Sequence, residues 1–157
     1  MPRNAVLVHG GFHGGWCWKR VAEPLRQQGW VVHAPSLTGV GDRYHLLSEK
    51  ITQNDRINDI VNIIEFEELD DVVLCGHSAG GPIITGVAEL IPERIAHLIY
   101  LDAVVPTDGQ SLLDVVGNGE GLVDSYNQQA AEGNGWQLSS KTFTAEAFGV
   151  TDPADQR

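Results

Sequence analysis

The sequence predicts an α/β fold built on a parallel sheet, and three observations predict it. Short apolar runs alternate with stretches of helical periodicity from Ala5 to Leu101. The runs are continuous rather than alternating, as expected of strands buried on both faces. One of them, Val72-Val73-Leu74-Cys75, leads directly into Gly76-His77-Ser78-Ala79-Gly80 and then an apolar helical stretch, a sharp turn from strand to helix. Strands joined by helices imply right-handed crossovers and a sheet covered on both sides.

Ala5-Val6-Leu7-Val8-His9 is the first strand, closed by Gly10-Gly11. Trp18, Val21, Ala22 and Leu25 recur at helical spacing within 16–28, and Gly29 stands where a helix C-cap glycine belongs. Residues 30–34 read as the second strand, and 35–48, rich in Pro, Gly, Ser and Thr, as a loop. Ile57, Ile60, Val61 and Ile64 fall on one face of a helix over roughly 52–66, which Asp70-Asp71 breaks. Residues 72–75 form the third strand, 79–91 the helix behind it, ended by Pro92, and 95–101 the fourth strand. After Pro106 glycines at 109, 117, 119, 121, 133 and 135 punctuate short pieces, with one possible helix around 121–131.

A length of 157 residues is one domain's worth and enough for a real core. The net charge of -11, with no cluster of Lys and Arg, argues against a nucleic-acid partner. The first apolar run is too short for a signal peptide or a membrane span, so no membrane partner and a cytoplasmic location are expected. Cys17 and Cys75 are far apart in sequence and read as small core residues in a reducing compartment.

The Gly-x-Ser-x-Gly turn carries chemistry. Small residues flank the serine because strand and helix backbones nearly touch there, and the strained turn exposes its hydroxyl, making Ser78 the candidate nucleophile. A serine hydroxyl needs a general base and donors aimed at the oxyanion of a tetrahedral intermediate. The backbone N–H of Ala79 is one candidate donor and that of Gly11, in His9-Gly10-Gly11-Phe12, the other.

The base is harder to find. In this architecture acid and base follow the nucleophile, and of the histidines at 9, 13, 33, 45, 77 and 97 only His97 does, inside a strand where a sheet-face role is expected. His77 should point away from the serine. His9 and His13 lack a third ligand, so no metal is expected. Asp102 follows the fourth strand, and a loop-capping role is the expectation there. Gly39-Val40-Gly41 lacks the third glycine of a dinucleotide loop, and no Gly-Lys-Ser/Thr occurs, so no nucleotide cofactor is implied.

The segments Leu7-Val8-His9-Gly10-Gly11-Phe12-His13-Gly14-Gly15-Trp16-Cys17-Trp18, Pro35-Ser36-Leu37-Thr38-Gly39-Val40-Gly41-Asp42-Arg43 and Gly76-His77-Ser78-Ala79-Gly80-Gly81 resemble the α/β-hydrolase superfamily. Within it they are similar to the branch of plant methylesterases, hydroxynitrile lyases and bacterial esterases. The resemblance runs from Val6 to about Pro106, and Tyr100 to Pro106 resembles the strand end that leads into the family's cap. It implies a core over 1–104, the beginning of a cap over 105–157, and a cofactor-free Ser-His-Asp esterase for small or aromatic esters. It further implies the nucleophile Ser78, oxyanion donors Gly11 and Ala79, and a substrate pocket bordered by Phe12 and His13. Lyases of the branch carry threonine where Gly10 stands, which favours ester hydrolysis over cyanohydrin cleavage; a non-catalytic binding relative is the third alternative.

Family members continue into further strands and helices, and place the catalytic acid and base on loops of that later part, which these residues do not include. The apolar fourth strand would otherwise be an uncovered edge. The expectation is therefore an incomplete hydrolase fold, the N-terminal portion of a longer polypeptide, cleaved or divided, with the remaining strands carried by a second polypeptide or lost. Trp136, Phe143 and Phe148 are candidate cap residues, with ordinary packing as the simpler explanation.

Overall fold

The computed structural model describes residues 3–117, 121–138 and 144–156. The chain divides into two compact units, 1–118 and 119–157. In the first, four parallel strands, β1 (Arg3–Val8), β2 (Trp30–His33), β3 (Val72–His77) and β4 (Ile95–Leu101), lie in the order β2-β1-β3-β4. They are connected by α1 (Lys19–Gln27), α2 (Gln53–Phe66) and α3 (Gly81–Leu90), and a short α4 (Leu112–Val116) follows.

Alternate residues of the central strands enter two separate cores, as the two-residue side-chain period of a strand requires. Val6, Val8, Val72 and Leu74 pack with Ile57, Ile60, Val61 and Ile64 of α2 and Ile83, Ile84 and Val87 of α3. Ala5, Leu7 and Cys75 pack on the other face with Trp18, Ala22 of α1 and Val32. The α2 stripe is therefore the one its sequence spacing marks, and Thr52 caps that helix through a reciprocal pair with Asp55.

The covering expected on both faces does not extend to β4. Among the described residues its neighbour is β3 alone, and Leu98, Ile99 and Leu101 are 37 %, 45 % and 48 % exposed. Ile95 and Tyr100 pack against the core, the latter through a 2.8 Å hydrogen bond between its hydroxyl and Thr85 of α3. Beyond its pairing with β3, the free edge of this strand is paired with no other described strand, and these apolar side chains stand partly open.

The handover from β3 to α3 is the tightest part of the unit. A single 3-10 turn, Ser78–Gly80, intervenes. A Cβ on Gly80 would lie 2.9 Å from the Val8 carbonyl oxygen and 3.0 Å from that of His9, and one on Gly81 would overlap the Val104 carbonyl. Only hydrogen fits at both positions, because the end of β1 and the segment after β4 press directly on the first turn of α3.

The second unit contains α5 (Leu122–Glu132), close to the helix expected there, and a 3-10 turn, Glu146–Phe148, ended by left-handed Gly149. Trp136 and Phe148 are 38 % and 53 % exposed, and Phe143 lies outside the described residues.

Gly80→Ala should destabilise the chain by about 2–3 kcal/mol, since the clash is with main chain that cannot rotate aside. Ile64→Ala, which empties a fully buried position, should cost about 2–5 kcal/mol. Urea titrations followed by circular dichroism measure both; a Gly80→Ala midpoint equal to wild type would contradict the packing described.

Candidate active site

Ser78 is the first residue after β3 and has φ 51°, in the left-handed region that a residue with a Cβ rarely occupies. The strain is held by backbone on both sides: the Val104 N–H donates to the Ser78 carbonyl at 3.0 Å, and Gly76 and Gly80 let strand and helix meet. The side chain is half-buried, and its hydroxyl makes no hydrogen bond to any described residue.

Two further non-glycine residues adopt positive φ at the carboxyl ends of neighbouring strands: Phe12 (61°) beyond β1 and Asp102 (43°) after β4. Strain of this kind is sustained only where the surroundings enforce it. Glu68 and Asp71, also left-handed, belong to the turn that precedes β3.

The loop after β1 lies against the serine. A Cβ on Gly10 would sit 3.0 Å from both the Ser78 Cβ and the His77 Nδ1, and one on Gly11 would sit 3.9 Å from the Ala79 Cβ. Gly11 and Ala79 border one cavity of about 50 Å³ together with His9, Arg56 and Ile83. A larger open depression of about 430 Å³ runs along α2 beside Thr38, Lys50 and Asn58; it includes neither Ser78 nor the glycine loop, and its position gives it no part in this chemistry.

The sequence-predicted residues thus fall into two groups. Ser78, Ala79, Gly11, Phe12 and His13 are brought to one end of the sheet. Phe12 is 38 % exposed, and half-buried His13 stacks on Trp16 at 5.8 Å while its Nδ1 meets the Gly11 carbonyl at 2.7 Å. His97 is not brought there: it is paired with Val73, four residues before Leu101, about 13 Å down the strand, and exposed. His77 turns to the α1 face, edge-on to Trp18 at 6.5 Å and His13 at 6.4 Å, and burial holds its pKa below the usual imidazole range. Asp102 is exposed, and its carboxylate caps nothing among the described residues. Cys17 is half-buried with its thiol pushed up to about 11 by burial, and buried Cys75 is raised for the same reason, so neither supplies a thiolate nucleophile.

Sequence reading missed the supports of the glycine loop. His9 is 2 % exposed, with its Nδ1 2.7 Å from the Gly10 carbonyl oxygen and its Nε2 accepting the Leu37 N–H at 3.1 Å. Leu37 belongs to the 35–48 stretch, which is fastened rather than free. The Asp59 carboxylate on α2 accepts from the Thr38 N–H at 2.6 Å, the Thr38 hydroxyl at 2.8 Å and Arg43 Nη1 at 2.7 Å.

Residues 5–155 match the family described as Alpha/beta hydrolase family. A carbendazim hydrolyzing esterase from Nocardioides sp. (strain SG-4G) is 54 % identical over 110 residues, 70 % of this chain and 46 % of its own length. A putative chloroplastic methylesterase 11 of Arabidopsis thaliana is 34 % identical over 111 residues, 70 % of this chain and 28 % of its own. An extracellular α/β-hydrolase from a Paenibacillus species superposes with a TM-score of 0.84 at 28 % identity, over 99 % of this chain and 63 % of the other. The chain therefore spans less than half the length of these two curated relatives. Parallel strand order, the left-handed serine at the strand-to-helix turn and the extent of the family match place this chain in the α/β-hydrolase family.

Proposed function

We propose that the protein is a serine carboxylesterase acting on small or aromatic esters through an acyl-enzyme. The observation that carries this reading is a strained, half-buried Ser78 whose hydroxyl is not committed to any described residue, set against Gly10 of the loop whose next residue, Gly11, faces Ala79. In the reaction the Ser78 oxygen attacks the ester carbonyl carbon and its proton passes to a histidine. The N–H groups of Gly11 and Ala79 hold the oxygen that becomes negative. The intermediate collapses, the leaving alcohol takes that proton, and water activated by the same histidine releases the acid. The names of the relatives, a carbendazim hydrolyzing esterase and a putative methylesterase, support an ester substrate.

The histidine of this scheme, with its acid, comes from polypeptide outside these 157 residues. His9 and His13 are engaged by loop carbonyls, His97 lies far down β4, and the open edge of β4 is where further strands would pair. Residues 105–157 belong in the same reading to the beginning of a cap, and Phe12 and His13 to the border of the substrate pocket. Gly10 gives no hydroxyl beside Ser78, and a Cβ there would press on the serine, which disfavours the cyanohydrin lyase alternative. Among the described residues no helix is long and apolar enough to cross a membrane.

Ser78→Ala should lower kcat on a nitrophenyl ester by about 10⁴-fold or more in the preparation that turns it over, with mandelonitrile releasing no cyanide in either form. Unchanged ester turnover would end the proposal. Ser78→Gly, equally inactive, should be about 1 kcal/mol more stable than Ser78→Ala because glycine accepts φ 51° without the Cβ penalty. Equal melting temperatures for the two would show that the serine is not strained.

A further inference from the structure

We infer that His9 is a positioning residue for the oxyanion hole, holding the Gly10–Gly11 peptide so that the Gly11 N–H faces the reacting oxygen, and that it works as the neutral Nδ1–H tautomer. The inference rests on the esterase reading and extends it to a residue that touches neither substrate nor Ser78.

The tautomer follows from hydrogen-bond sense. A backbone N–H can only donate, so the Leu37 N–H at 3.1 Å requires a bare lone pair on His9 Nε2. The ring proton of the neutral imidazole is then on Nδ1, 2.7 Å from the Gly10 carbonyl oxygen, which can only accept. A trans peptide is planar, with its C=O and the following N–H pointing in opposite directions. Fixing the Gly10 carbonyl toward His9 therefore fixes the Gly11 N–H away from it. Two consecutive glycines would otherwise rotate this peptide at little cost.

The ring itself is anchored. It is buried at 2 % exposure, and its acceptor nitrogen meets Leu37, the neighbour of Thr38, which Asp59 of α2 holds through two hydrogen bonds. Connection thus runs from α2 through the 35–48 loop and the imidazole to one backbone amide. The charged and titratable groups that face His9 are Arg56 from α2, His13 from its own loop and Asp42 from the 35–48 loop. Burial is the chief reason its pKa lies below the usual histidine range; Arg56 and His13 act in the same direction, and Asp42 and the Gly10 bond oppose them. Protonation would place a second N–H against that of Leu37, so acid should release the loop. Since the folded pKa is the lower one, His9 contributes stability above the unfolded value of about 6.5, and this is lost as pH falls through the folded pKa.

Two variants separate positioning from bulk. The amide nitrogen of asparagine can occupy the place of Nδ1, whereas glutamine reaches the place of Nε2 and can accept from Leu37 but offers nothing to Gly10. His9→Gln should lower kcat on a nitrophenyl ester about tenfold or more with KM within twofold, and His9→Asn should retain most of it. Equal losses in both variants, or none in His9→Gln, would overturn the inference. Ser78→Ala in parallel isolates the underlying reading: if it too is fully active, the esterase assignment has failed rather than the His9 argument. Long-range ¹H–¹⁵N spectra of the wild-type imidazoles need no variant to fold and no turnover. They should show His9 protonated on Nδ1 alone at pH 7; an Nε2–H tautomer or an imidazolium would overturn the inference.

Discussion

The site depends on one backbone contact, the end of β1 pressed against the first turn of α3 with only the hydrogens of Gly80 between them. Pairing of β1 with β3 up to Val8 and Gly76, and the absence of a side chain on Gly80 where a Cβ would meet the Val8 and His9 carbonyls, let the glycine loop and the serine turn lie side by side. That contact turns two sequence-distant pieces of main chain into a single rigid corner. Ser78 takes a left-handed conformation there because β3 and α3 leave the chain no other way to turn.

Around this corner the polar groups are arranged to hold backbone rather than to present side chains. Nδ1 of His9 and of His13 each meet a carbonyl of the glycine loop, and Asp59 secures the 35–48 segment that supplies the acceptor nitrogen of His9 with a donor. In the proposed reaction the Gly11 and Ala79 amides would meet the oxygen that becomes negative, and preorganised donors of that kind are usually the largest single contribution to catalysis. The Ser78 hydroxyl is left uncommitted among the described residues.

Much of this was legible in the sequence, for local reasons. The parallel strands and the α2 stripe follow from hydrophobic period, and Ser78 was marked by small residues at 76 and 80 whose spacing is a steric requirement of the turn. The bounds of β4 matched its apolar run at both ends. The supports were not legible. The 35–48 stretch lacks periodicity and reads as loop, yet it holds a 3-10 turn, Gly41–Leu46, and is fastened by tertiary hydrogen bonds that leave no trace in residue spacing. His9 read as the end of a strand because the donor to its Nε2, the Leu37 N–H, lies 28 residues away. Short α4 escaped notice although its capping pair, Ser111 and Asp114, stands in the sequence, because five residues carry too little period to see.

The proposed reaction requires that residue 78 bear the acyl group. Treatment of an ester-hydrolysing preparation with a fluorophosphonate, followed by peptide mass spectrometry, tests it most directly. One phosphonyl group should appear on Ser78 in step with loss of turnover; turnover lost while Ser78 remains unmodified, or retained with Ser78 fully modified, would rule out an acyl-enzyme at this serine.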